Sequence, residues 1–97
     1  MDVTEVMTHH ALQRSRTRCI STTAIEAALA YGRSRLSRGA EIFTLGWREC
    51  RYWAEQGVDL SGFEGIQVVC SPAGRVLTVY RNSKPAAWRD RAQRRSA

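Results

Sequence analysis

His10, Arg14 and Arg18 stand four residues apart near the start of a chain of 97 residues. On a helix of about 3.6 residues per turn, steps of four drift by only ~40°, so the three side chains make one stripe. A histidine titrates near neutral pH and can move a proton, and two guanidinium groups beside it can clamp a phosphate. Near the other end, Thr78, Tyr80 and Arg81 close an apolar segment and add a hydroxyl, a phenol and a third guanidinium. Cleaving RNA without a metal needs a base near the 2′-hydroxyl, an acid near the leaving oxygen, and cations around a phosphate whose charge rises in the transition state. His10 suits the base or the acid, Arg14 and Arg18 the clamp. Tyr80 suits stacking on a base or donating a proton, and Thr78 holding the phosphate or orienting His10. The same residues also fit plainer roles. His10 suits a helix cap or a partly buried site, the arginines a solvated face or pairs with Glu26, Tyr80 and Thr78 ordinary strand packing.

These groups need two supports. The first is a helix, capped by Thr8 and starting at His9 or His10. Ile20 to Thr23 interrupts it and opens another. Its cap is either Thr23, boxed with Glu26, or Ser21, which would staple Ile20 against Ile25. Ile25, Ala28 and Leu29 form its apolar stripe and Gly32 stops it. The second support is a hairpin within EGIQVVCSPAGRVLTVYRN, residues 64–82. Ile66 to Cys70 and Val76 to Tyr80 flank the turn formers Ser71, Pro72, Ala73 and Gly74. With Ser71 and Gly74 bracketing a tight turn, Val69 falls opposite Val76, Gln67 opposite Thr78 and Gly65 opposite Tyr80, all on one face. Ile66, Val68, Cys70, Leu77 and Val79 share the other face, which is wholly apolar and belongs under helices.

Between the supports, Arg33, Arg35 and Arg38 with Gly39 read as an exposed edge strand and turn, where arginine is also the ordinary device against sheet aggregation. Glu41 to Leu45 reads as a short strand. Trp47 to Glu55 reads as a helix ended by Gly57, with Gly57 to Gly62 a loop into the hairpin. The elements together predict an α+β domain, N-terminal helices packed on one face of a small twisted antiparallel sheet. Residues 1–82 make that single domain. Residues 83–97 form a basic C-terminal tail, interrupted by Pro85 and carrying Trp88, of the kind that serves as an arm for a partner.

The net charge of +6 is unevenly placed. Residues 1–38 hold six Arg against three acids, residues 39–80 three against five, and residues 81–97 five Arg and Lys84 against Asp90. Arginine clustered at both ends calls for a polyanion or an acidic protein to compensate it. The absence of an apolar run of membrane-spanning length and of a signal-like start places the expected site of action in the cytoplasm, without a membrane partner. Cys19, Cys50 and Cys70 have no metal-ligand or disulfide spacing and read as small buried apolar residues. No cofactor or metal is indicated.

HALQRSRTRCISTTAIEAALAYG and the hairpin ending in Thr-Val-Tyr-Arg resemble a family of small bacterial domains of unknown function. Its pattern opens with His-Ala, Arg residues four and eight positions after the His, Ile-Ser, a short helix and a Gly. That family is grouped with the barnase, EndoU, colicin and RelE-type (BECR) ribonuclease fold. The resemblance implies a RelE-like fold and a ribonuclease toxin, held inactive by an acidic antitoxin. It also implies site residues at the matching positions, His10, Arg14, Arg18, Thr78, Tyr80 and Arg81. Cys19 departs from the pattern, standing where a small residue, often Gly, is expected between the two helices. The alternative from the residues alone is a non-catalytic basic module that binds nucleic acid or protein.

Overall fold

Each helix begins where a nearby group can satisfy its first free N–H groups. Thr8 Oγ1 accepts from the Ala11 N–H at 3.1 Å and opens α1, His9–Thr17. Ser21 Oγ accepts from the Ala24 N–H at 3.1 Å and opens α2, Thr22–Tyr31, so Ser21 and not Thr23 is the cap. The Glu49 carboxylate accepts from the Gly46 N–H at 2.8 Å at the start of α3, Trp47–Glu55. The computed structural model describes residues 2–82; the tail expected at 83–97, with Trp88, lies outside the described residues.

The strands are β1, Arg33–Ser37; β2, Ala40–Thr44; β3, Ile66–Cys70; and β4, Val76–Arg81. They form one antiparallel sheet in the order β1-β2-β3-β4. Three α-helices accompany it among the described residues, so the domain is α+β, as the pattern of elements predicts. The β1–β2 hairpin turns on Arg38 and Gly39, at φ of 51° and 80°. Positive φ at both positions is what a two-residue turn matched to strand twist requires.

The β3–β4 hairpin departs from the expected register. Gln67 pairs with Tyr80 and Val69 with Thr78, not Gln67 with Thr78 and Val69 with Val76. Two local features cause this. The loop is three residues, Pro72 to Gly74, closed by Ser71 N–H to the Arg75 carbonyl at 2.8 Å, with Gly74 at φ 87°. The ladder then shifts between Cys70, opposite Val76, and Val69, opposite Thr78, which leaves Leu77 as an extra residue. Two offsets of one restore the parity, so Gln67, Val69, Thr78 and Tyr80 still share a face. Only Val76 and Leu77 exchange roles: Val76 is buried and Leu77 is 36% exposed.

The core lies between the sheet and α1 and α2. Ile66, Val68, Val76 and Val79 meet Ala11, Ala24, Ile25 and Ala28 in one cluster with Leu45 and Leu60. Burying each larger aliphatic contributes about 1.5–3 kcal/mol. Trp53 packs at the margin of this cluster, edge-on to Tyr31 with ring centres 4.8 Å apart. The joint between α1 and α2 accounts for the unexpected cysteine. Cys19 sits at φ 55°, its N–H donates to the Arg16 carbonyl, and the Ile20 N–H donates to the Ser15 carbonyl at 2.8 Å. This is the pair of bonds that ends a helix through a left-handed residue, a place where glycine carries no Cβ penalty. Cys19 is therefore exposed rather than buried, Cys50 is half-buried, and Cys70 alone is fully buried.

Candidate functional site

The outer edge of β4 would be a row of free backbone groups, but the chain entering and leaving α1 occupies it. Met7 makes a parallel bridge to Val76, and the Thr8 N–H donates to the Val76 carbonyl at 2.9 Å. The Thr8 hydroxyl reaches the Leu77 carbonyl at 3.3 Å, and Arg18 Nη1 donates to the Val79 carbonyl at 2.8 Å. Helix α1 thus lies along β4, pinned at both ends, with Arg18 arriving beside Tyr80.

Arg18, Tyr80 and Arg81 line one open depression of about 630 Å³. Among the described residues it is lined by two guanidinium groups and a phenol, with no carboxylate. A second cavity of about 360 Å³, beside α3, is lined by Asp59 and Glu64 as well as Arg51 and suits an anion less. One turn back along α1, Arg14 Nε donates to His10 Nε2 at 3.4 Å. An arginine nitrogen can only donate, so in this geometry His10 Nε2 is the acceptor. At this length the bond is weak. Both side chains are exposed, and neither lines the depression. Thr78 is half-buried, two residues from Tyr80 on the same face, and also lies outside the lining.

The sheet brings further polar groups to Tyr80. The register sets Arg33, Thr44, Gln67 and Tyr80 in a single row across the four strands, and Arg35, Ile42, Val69 and Thr78 in the next. At ~4.8 Å per strand, each row is ~14 Å long. Gln67 Nε2 donates to Thr44 Oγ1 at 3.1 Å, and the two residues are only 3% and 6% exposed. Reading the sequence for spacing missed Thr44 in this row and treated Arg33 and Arg35 as edge residues only. The signal was present in the Arg38-Gly39 turn, which fixes the β1–β2 register and so the face on which those arginines stand.

Thiol chemistry is not favoured at the two covered cysteines. Burial, and then the carboxylates of Glu64 and Glu49, push the Cys50 thiol up; burial, and then Glu41, do the same to Cys70. Nucleophilic cysteines are tuned in the opposite direction. Among the described residues, no group of three or more His, Cys, Asp or Glu side chains is placed to hold a metal ion. No described helix is long and apolar enough to cross a membrane.

Comparison with curated proteins and with solved structures gives no match for the chain. The model of a family described as a domain of unknown function, DUF4258, matches residues 7–81, from the bridge before α1 to the last residue of β4. That span takes in both the His10 to Arg18 stripe and the Thr78 to Arg81 strand end, and the chain belongs to the DUF4258 family.

Proposed function

We propose that this protein is a metal-independent endoribonuclease of toxin type, with a BECR, RelE-like fold, acting in the cytoplasm and neutralised by an acidic antitoxin. The observation that carries the proposal is the depression formed by Arg18, Tyr80 and Arg81 at the end of the α1 stripe. A phosphate seated there meets two guanidinium groups that stay charged at every working pH. Entry of the RNA backbone draws Arg14 away from its long bond to His10 and onto phosphate, which frees the Nε2 lone pair. His10 then accepts the 2′-hydroxyl proton as that oxygen attacks phosphorus, and the 5′-oxygen leaves with a proton from Tyr80 or water. Arg18 and Arg81 stabilise the added negative charge, and Thr78 orients the strand beside Tyr80. A second reading is a non-catalytic nucleic-acid- or protein-binding module, favoured by the position of His10 outside the depression.

His10→Ala decides between them. RNA cleavage falls by ~10²-fold or more while RNA binding is nearly intact, because a single histidine adds little to polyanion affinity. Arg14→Ala and Arg18→Ala damage both, and binding by wild type weakens steeply with salt. Thermal melts accompany each variant, since Arg18 also holds the β4 edge. A folded His10→Ala protein that cleaves as fast as wild type removes the acid-base role. A wild type that binds RNA but never cuts it establishes the binding module instead.

A further inference from the structure

Tyr80 and Arg81 are neighbours in a strand, so their side chains leave on opposite faces of the sheet. Tyr80 lies opposite Gln67 on the polar face, and Arg81 opposite Ile66 on the covered face. Both nevertheless line one depression with Arg18, whose guanidinium sits at the outer edge of β4, 2.8 Å from the Val79 carbonyl. The depression therefore wraps the edge of the strand, and the backbone between Tyr80 and Arg81 passes through its middle.

The ladder fixes how that backbone is turned. The Asn82 N–H donates inward to the Gly65 carbonyl at 2.8 Å. Bonded positions alternate in an antiparallel pair, so Asn82, Tyr80 and Thr78 direct their backbone groups to β3, and Arg81 and Val79 direct theirs outward. The Val79 carbonyl obeys this parity, accepting from Arg18. The next outward group along the edge is the Arg81 N–H, and among the described residues nothing accepts from it. Thr8 and Arg18 cover the outward carbonyls of Val76, Leu77 and Val79, and that cover ends before Arg81.

We propose that the main-chain N–H of Arg81 is a phosphate-binding donor, which seats one non-bridging phosphate oxygen between itself and the Arg18 guanidinium. This rests on the reading that the depression receives a phosphate, and is independent of the proton transfers assigned to His10. An N–H that donates to an anion makes a short, charge-assisted bond, and here the strand fixes its direction. The bond to Val79 holds Arg18 likewise, so neither donor has to be ordered when the anion arrives. Donors set in advance around one oxygen are also what stabilises a phosphate as its charge rises. The exposed Arg81 guanidinium remains for a second oxygen.

The test uses the full chain, labelled with ¹⁵N, and two probes. One is inorganic phosphate, and the other a short single-stranded RNA with 2′-O-methyl groups, which cannot be cut through the 2′-oxygen. Without a probe, the Arg81 amide exchanges with solvent much faster than those of Tyr80 and Asn82, whose N–H groups lie in the ladder. The RNA slows exchange at Arg81 by at least ~10-fold, and free phosphate does so only at higher concentration. Arg81→Gln, which keeps the N–H, weakens RNA binding but retains this protection at saturation. Arg81→Pro, which lacks the N–H but removes no bond of the ladder, binds RNA about 10-fold more weakly than Arg81→Gln. Thermal melts accompany both variants, and should the proline variant not fold, exchange in the wild type still decides. Slow exchange at Arg81 in the free chain overturns the proposal. RNA that shifts the Arg18 and Arg81 Nε–H signals but leaves the Arg81 amide unprotected overturns it too, while the phosphate reading of the depression stands. Protection by phosphate alone, with no binding of RNA, supports the seat and removes the nucleic-acid reading. No change at Arg18, Tyr80 or Arg81 with either probe overturns both.

Discussion

On the face of the sheet that meets α1 and α2, Ile66, Val68, Val76 and Val79 are wholly buried and entirely apolar. On the opposite face the same strands present Gln67, Thr78 and Tyr80, with Thr44 and Arg33 continuing the row. Both faces contain residues almost without exposure, since Gln67 and Thr44 are as hidden as much of the core. They differ in what concealment requires. An apolar side chain is stabilised by leaving water, whereas a hidden amide or hydroxyl is tolerated only when it finds a partner. The first face therefore holds the domain together, and the second keeps polar groups in fixed positions next to Tyr80.

The largest effect tests that division within a single strand. Ile66→Ala on the covered face lowers the free energy of unfolding by about 2–5 kcal/mol, and Val69→Ala on the other face by less than half as much. Denaturant titration at constant slope measures both. Equal losses would mean that the second face is a core in its own right.

A smaller effect separates paired polar groups from packing. Gln67→Ala leaves Thr44 Oγ1 without its donor at 3.1 Å and costs about 1–3 kcal/mol. Replacing the pair together, Gln67→Leu with Thr44→Val, costs less than the sum of the two single changes. A double-mutant cycle reads the coupling directly. Additive losses would show that the Gln67–Thr44 bond holds nothing in place.

The smallest effect lies where the covering helices join. Cys19→Gly removes a Cβ from a left-handed backbone and stabilises the chain by about 1 kcal/mol, less whatever freedom glycine adds to the unfolded state. A loss of stability there would mean that the thiol makes a contact worth more than the strain.

Local patterns were legible in the sequence wherever the cause of a structure was local. The limits of α3 at Trp47 and Glu55, the cap at Thr8 and the arrest of α2 at Gly32 follow from residues within one turn of each other. The stripe of His10, Arg14 and Arg18 follows from helical periodicity. The hairpin register did not, because the three-residue turn and the bulge at Leu77 each move it by one, and only the parity survives in the pattern. The placement of Arg18 against Val79 spans 61 residues and leaves no trace in either segment alone. Likewise, spacing along the chain does not reveal that Arg33 and Tyr80 lie in one row, since that depends on the order of four strands.

The clasp between α1 and β4 also sets the moment at which a candidate site exists. Arg18 belongs to the first fifth of the chain, and Tyr80 and Arg81 lie at the end of the last strand. During synthesis the helices can form early, but the depression has no second wall until β4 has emerged and paired with β3. Contacts of such long range are slow to form and come late. A chain in which β4 has not yet paired with β3 is therefore without the complete depression, and whatever that surface binds can be bound only after the last strand has closed it.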